Sequence, residues 1–241
     1  MEKTAAIIQA RLGSSRLPHK VMKSIFKGKN SLDLLHERLS NSRNINSTIF
    51  AVPEKDNLII NHLKAKGYQY TCGDEKNVTQ RYLKAALEFN IEKIVRITAD
   101  CPLVDPKIID ECVNLSDEYD YVSNNTPPDE SDYANGSDVE VFSTRLLKKR
   151  SKSFTSNRDN EHVTFPMWDG RMKITKYRLK KEISDKNVRI TIDNEEDVEV
   201  IRNILSFSNN IFINYESIVK IYNKLDLYKI NGKYHYSEGW K

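Results

Sequence analysis

The sequence predicts an α/β fold: a mainly parallel central sheet covered by helices on both faces, three layers in all, with a small β-rich excursion. Three observations carry this expectation. Strand and helix patterns alternate with short links through the first half of the 241 residues, as crossover units require. The run Ala5-Ala6-Ile7-Ile8 is apolar without alternation, as in a strand buried on both faces. The pattern changes after residue 122, where a long polar stretch interrupts it.

The elements follow in order. Residues 5–9 read as strand and 31–40 as helix, with Leu32, Leu35 and Leu39 on one face and Ser31 as N-cap. Strand 47–52 ends at Pro53. Helix 57–66 turns Leu58, Ile59 and Leu63 inward and stops at Gly67. Strand 68–71 leads to helix 78–89, capped by Asn77, whose stripe is Tyr82, Leu83, Ala86 and Leu87. Strand 94–98 precedes helix 106–115, which has Pro106 in its first turn and Asp105 as cap. Strand 119–122 closes the regular half. Residues 123–138 hold two prolines and read as a long loop, functional or mobile. Beyond it, 139–142 reads as strand, 143–150 as helix, 151–160 as a solvated linker, 173–179 and 188–192 as strands, and 195–205 and 211–223 as helices. One domain is expected over 1–241, with 123–180 an acceptor or dimerisation excursion within it.

Composition narrows the function classes. With 38 basic and 34 acidic residues the net charge is +4, too balanced for a dedicated nucleic-acid binder, and the basic residues lack interleaved aromatics. Three cysteines form no CxxC pair and no metal spacing, which points to free thiols in a reducing compartment. Met1-Glu2-Lys3-Thr4 leads straight into the first strand, and no apolar run approaches the roughly 18 residues of a membrane span. The expectation is a cytoplasmic protein without secretory signal or membrane contact.

The most informative stretch is Ile7-Ile8-Gln9-Ala10-Arg11-Leu12-Gly13-Ser14-Ser15-Arg16-Leu17-Pro18-His19-Lys20. A loop with three basic side chains leaves the carboxyl end of a buried strand, where open parallel sheets bind ligands. Gly13 admits a phosphate close to the backbone, and Arg16 and Lys20 neutralise a polyanion. The spacing fits neither a Walker A loop nor a dinucleotide GxGxxG, and a plain basic surface loop is the competing reading.

Two later segments share one logic. Arg96-Ile97-Thr98-Ala99-Asp100 ends a strand in a carboxylate at the same sheet edge, and a lone carboxylate beside phosphates is a natural Mg²⁺ ligand. Arg189-Ile190-Thr191-Ile192-Asp193 repeats it, so Asp193 is either a second metal carboxylate or a helix cap. Glu195, Glu196 and Asp197 are expected only to complement the dipole of the helix that follows. Gly73 and Arg81 flank another strand end and could enclose a nucleobase. Asp138 and Glu140, two apart on one predicted strand, share a face and either order water or hydroxyl groups or face solvent, and His162 is the most interesting of five histidines, though a lone His is more often structural than catalytic.

The segments IIQARLGSSRLPHK, RITADCPLVDP, GSDVEVF, EHVT and RITIDNEED, with the tail Tyr236-Ser237-Glu238-Gly239-Trp240, resemble the SpsF-type cytidylyltransferases. These are similar to the 3-deoxy-manno-octulosonate and acylneuraminate cytidylyltransferases. The resemblance implies a Rossmann-like nucleotide-diphospho-sugar-transferase fold, often dimeric, that moves CMP from CTP to a small acidic acceptor with release of pyrophosphate. By it, Arg16, Lys20 and Asp100 are catalytic. Gln9, Ala10, Arg11, Gly13, Ser14, Gly73 and Arg81 bind CTP, and Asp138, Glu140 and His162 face the acceptor. Asp100 and Asp193 hold Mg²⁺. The chain departs from the family pattern at Ala99 (more often Gly), Gln80 (Asp) and Asn160 (Arg). Two other readings stay open: a nucleotidyltransferase acting on a sugar phosphate, phosphonate or other phosphorylated metabolite, and a non-catalytic nucleotide-binding scaffold.

Overall fold

The computed structural model describes residues 2–154 and 156–235, and the tail motif 236–240 lies outside the described residues. The strands are β1 Thr4–Gln9, β2 Ser47–Pro53, β3 Gln69–Gly73, β4 Lys93–Thr98, β5 Tyr121–Ser123, β6 Glu140–Ser143 and β7 Lys176–Arg178. They form one seven-stranded sheet in the order β3-β2-β1-β4-β6-β5-β7. Pairing is parallel except at β6, which runs antiparallel to β4 and β5.

β1 shows why this is a layered sheet. Ala6 and Ile8 pack into one core cluster while Ala5 and Ile7 pack into the other, because successive strand residues face opposite sides. The larger core seats α1 Ser31–Leu39, α2 Asn57–Lys66, α4 Pro106–Leu115, α8 Glu195–Ser208 and α9 Tyr215–Lys224. The opposite core seats α3 Val78–Glu88, α5 Thr144–Arg150 and the short α7 Phe165–Trp168, which follows α6 Asn157–His162. A last turn, α10, spans Tyr228–Asn231.

The strand order places the site. The chain runs outward from β1 through β2 to β3, then crosses back to pair β4 on the other side of β1. The order therefore reverses between β1 and β4, the point where doubly wound sheets open a crevice. Gln9 pairs Thr98 at the carboxyl ends, and Ala99 N–H donates to Gln9 C=O at 3.0 Å. The loop after β1 and the turn carrying Asp100 thus start side by side.

Several expectations are corrected. Asn30, not Ser31, caps α1, forming a reciprocal box with Asp33, while the Ser31 hydroxyl donates to the Ala99 carbonyl. Leu58 and Leu87 are 48% and 53% exposed; Ile60 and Ala85 take the inward positions, because the buried arc of each helix is rotated by one residue. The stretch 123–138 is largely a loop, as its prolines and polar residues indicate, and it packs inward: Asn124, Asn125, Thr126 and Ser137 are buried and hydrogen-bonded within it. Segment 151–160 is not a plain linker either, since α6 starts within it and buries Asp159 against Arg171. Residues 188–192 join no strand of the sheet, and Arg189 instead forms an isolated parallel bridge with Asn135 in the loop before β6.

Candidate active site

An open cavity of about 320 Å³ lies at the β1–β4 crevice, a size suited to a small-molecule ligand. Its walls come from the loop after β1, the turn after β4, the 135–140 segment, the end of α6 and the 189–193 segment. Of the residues singled out in the sequence, Gln9, Ala10, Arg11, Gly13, Ser14, Arg16, Lys20, Arg81, Asp100, Asp138, Glu140, His162 and Asp193 all line it. Gly73 does not. A Cβ there would meet the Arg81 side chain at 3.0 Å, so the glycine makes room for that arginine. Arg81 itself donates to the carbonyls of Asp74 and Glu75 at 2.7 and 2.8 Å, which makes it a brace for that loop.

Charge is concentrated at one end of the cavity. Lys20 Nζ stands 2.8 Å from Asp100 Oδ2 and 2.8 Å from Asp193 Oδ1. Arg16 reaches the same Asp193 oxygen at 2.9 Å, and Arg189 reaches its Oδ2 at 3.1 Å. Burial works to raise the Asp100 pKa, but the Lys20 charge and its hydrogen bond prevail and hold it at about 2. Burial likewise opposes the Lys20 charge, yet Asp100 and Asp193 outweigh it and raise that pKa.

Backbone contacts bring the two aspartates together across ninety residues of chain. Ile192 N–H donates to Asp100 C=O at 2.8 Å, and the Thr191 hydroxyl reaches the same carbonyl at 3.3 Å. Ile190 N–H donates to Asn135 C=O at 2.7 Å. Gly136, at φ +100°, lets this crossing happen: a Cβ would lie 2.3 Å from Thr191 N, inside any tolerable contact.

The other end of the cavity is differently built. β6 starts at Glu140, so Asp138 lies in the preceding loop and the two acids do not alternate on one strand. Glu140 is committed to Arg96 and to the Tyr121 hydroxyl, hence it supports the wall instead of offering a free carboxylate. Asp138 accepts from Gly136 N–H at 3.0 Å, and burial pushes its pKa up to about 6. Burial, then the Arg96 charge, lowers the His162 pKa, which favours a neutral imidazole. The Cys101 thiol is pushed up by burial and by Asp100 and Asp138, so it is no nucleophile.

Sequence reasoning passed over several lining residues that its own motifs contained, among them Arg96, Thr98, Arg189 and Thr191. The signal was there, since R-x-T-x-D places three polar groups at period two on one face of an extended chain. It also misjudged Asp197, which is fully buried. Asp197 accepts from Arg189 at 2.8 Å, from Asn231 at 3.0 Å and from the Asp193 N–H at 2.9 Å.

The sequence model of the cytidylyltransferase family matches residues 5–231. The chain belongs to this family. It is similar to a cytidylyltransferase of Leptospira borgpetersenii, with a TM-score of 0.89 and 29% identity over 96% of this chain and 98% of that one. It is 30% identical to the spore coat polysaccharide biosynthesis protein SpsF of Bacillus subtilis over 81% of this chain and 83% of that protein. A 3-deoxy-manno-octulosonate cytidylyltransferase of Geobacter sulfurreducens is 31% identical across 45% of this chain and 43% of its own length. Members of the family use CTP and a small-molecule acceptor. Among the described residues, no helix is long and apolar enough to cross a membrane.

Proposed function

We propose that this cytidylyltransferase moves CMP from CTP onto a small acidic acceptor, a sugar acid or a close relative, for surface polysaccharide synthesis. The observation that supports this most is the meeting of Arg16, Lys20, Asp100 and Asp193 in one cavity at the sheet's switch point. The name of the octulosonate relative supports the acceptor class, and that of the SpsF relative supports the link to polysaccharide synthesis. Three unpaired cysteines favour the cytoplasm, and the family resemblance favours a homodimer.

The donor set fits Mg²⁺. Two carboxylates converge on one cationic point, now held by the Lys20 ammonium, and Mg²⁺ commonly takes one or two carboxylates with waters and phosphates completing its shell. Asp100 and Asp193 would hold it, and when bound it supplies charge stabilisation at the phosphoryl oxygens.

The chain's own residues do the rest. Arg11 and Arg16, with the backbone around Gly13 and Ser14, grip the triphosphate, and Lys20 neutralises charge that builds as pyrophosphate departs. Asp138, His162 and the Glu140-braced wall position the acceptor oxygen in line with the α-phosphate. Such a reaction needs positioning and electrostatics more than a covalent nucleophile. The test is a pyrophosphate-release assay with CTP, UTP, ATP or GTP against a panel of sugar acids, sugar phosphates and phosphonates. Release is expected with CTP and a sugar acid. Release restricted to a purine nucleotide or to phosphorylated acceptors, or nucleotide binding without release across the panel, rejects the reading.

A further inference from the structure

The position of Lys20 has a second consequence. Its ammonium sits between two carboxylates that come from opposite halves of the chain, at 2.8 Å from each. The three side chains are mostly withdrawn from solvent, at 14%, 27% and 15% exposure. A divalent cation and this ammonium therefore seek the same oxygens. Metal entering alone must expel a largely buried lysine charge and leave it without a counter-anion, which is costly in a desolvated site. A nucleotide changes the balance, because its phosphates offer the displaced ammonium a new partner. Lysine suits such an exchange: it carries a compact charge on a flexible stem, rooted here in a short 3₁₀ turn directly after the basic loop. Arg16, on the same Asp193 oxygen, is placed to make the same transfer.

We infer that Lys20 is an internal cation that closes the Asp100–Asp193 pair to free metal and yields it only when nucleotide phosphates take the ammonium, so that metal and nucleotide are accepted together. The inference rests on the reading of Asp100 and Asp193 as metal carboxylates. Metal and nucleotide then reinforce each other's binding by the same factor, as linkage requires.

The test titrates Mn²⁺ into the nucleotide-free protein and reads free metal by electron paramagnetic resonance. Lys20→Met is expected to bind Mn²⁺ about tenfold or more tightly than the natural chain, a typical size for coupling between two ligands. The gain should vanish in Lys20→Met/Asp100→Asn. Lys20→Gln, with folding checked by circular dichroism, guards against a misfolded first variant. A non-hydrolysable α,β-methylene analogue of CTP should raise Mn²⁺ affinity in the natural protein and raise it less in Lys20→Met. If both folded variants bind Mn²⁺ no better than the natural chain, while that chain takes up Mn²⁺ with the analogue, the inference falls and the metal reading stands. Equal Mn²⁺ affinity of the natural protein with and without the analogue also overturns it, independently of any variant. Absence of Mn²⁺ uptake under every condition removes the metal reading and this inference with it.

Discussion

Arg96–Asp100 and Arg189–Asp193 carry the same R-I-T-x-D pattern, and the fold uses them differently. The first lies on β4, paired on both sides within the sheet, and its arginine is neutralised from a neighbouring strand by Glu140. The second belongs to no strand. It is extended against the 134–136 turn and the Asp100 turn, and its arginine is neutralised from the following helix by Asp197 and also by its own Asp193. The arginine, threonine and aspartate of both reach the cavity. A short motif therefore specifies which groups face the cavity, while the surroundings decide which partners hold each one. Among the described residues, Asp100 meets one cation, Lys20, whereas Asp193 meets Lys20, Arg16 and Arg189.

That contrast can be broken or sharpened by experiment. The largest effect is expected from Asp100→Asn, which should lower pyrophosphate release by about a thousandfold or more and leave the fold intact. Wild-type-like turnover in this variant would refute the assignment. Asp193→Asn should also cost turnover but, with three cations left facing one another, should lower the melting temperature more than Asp100→Asn does.

Stability separates the two arginines next. Glu140→Gln strips Arg96 of the carboxylate it pairs with in the core and should cost about 3–5 kcal/mol in urea unfolding. Asp197→Asn leaves Arg189 its contact with Asp193 and should cost less, about 1–3 kcal/mol. A larger loss for Asp197→Asn would mean that the helix cap, not the ion pair, governs this region.

The acids between the motifs should differ in pH dependence. Asp138 has a folded pKa of about 6, above the ordinary carboxylate value near ~4. Folded protein holds a proton there that the unfolded chain has lost, so stability falls as pH rises through that window. Asp138→Asn should accordingly raise the melting temperature at pH 7 and bring no gain at pH 4. Asp100, held at about 2, acts with the opposite sign: its stabilisation is complete above about pH 4 and is lost as pH falls towards 2. Asp100→Asn should lower the melting temperature at pH 7 and converge with the natural chain in acid. Matching profiles for the two variants would contradict this account.

The smallest effect on stability is expected at Arg16. Its pair with Asp193 is partly exposed, so Arg16→Gln should cost only about 0–1 kcal/mol in unfolding. If Arg16 grips the triphosphate, the same variant should raise KM for CTP by about tenfold, as loss of a charged hydrogen bond does. An unchanged KM would assign Arg16 to Asp193 alone.

Much of this architecture was legible in the chain. Apolar runs and capped amphipathic stretches state their own structure locally, so α2 and α4 occupy the residues their patterns indicate. The basic loop and Asp100 were legible too, because strand ends in a parallel sheet collect at one edge, whereas Asp193 reaches that edge on an extended segment outside the sheet. What failed to show was whatever depends on partners remote in sequence. Segment 188–192 reads as a strand by composition, yet its hydrogen bonds go to a turn and a loop. Asp197 reads as a dipole complement, and Glu140 as a free acid, because neither Arg189 nor Arg96 can be identified as a partner from spacing alone.

The amino-acid order by itself determined the layered sheet, the edge at which the cavity opens and the identity of the charged groups there, since periodicity and strand termini are local properties. Only the tertiary structure decided which cation answers which carboxylate, that Lys20 bridges Asp100 and Asp193, and that Arg81 braces a loop. Electrostatic pairing depends on distances of a few ångströms in space, and those are set by packing between segments that sequence spacing does not relate.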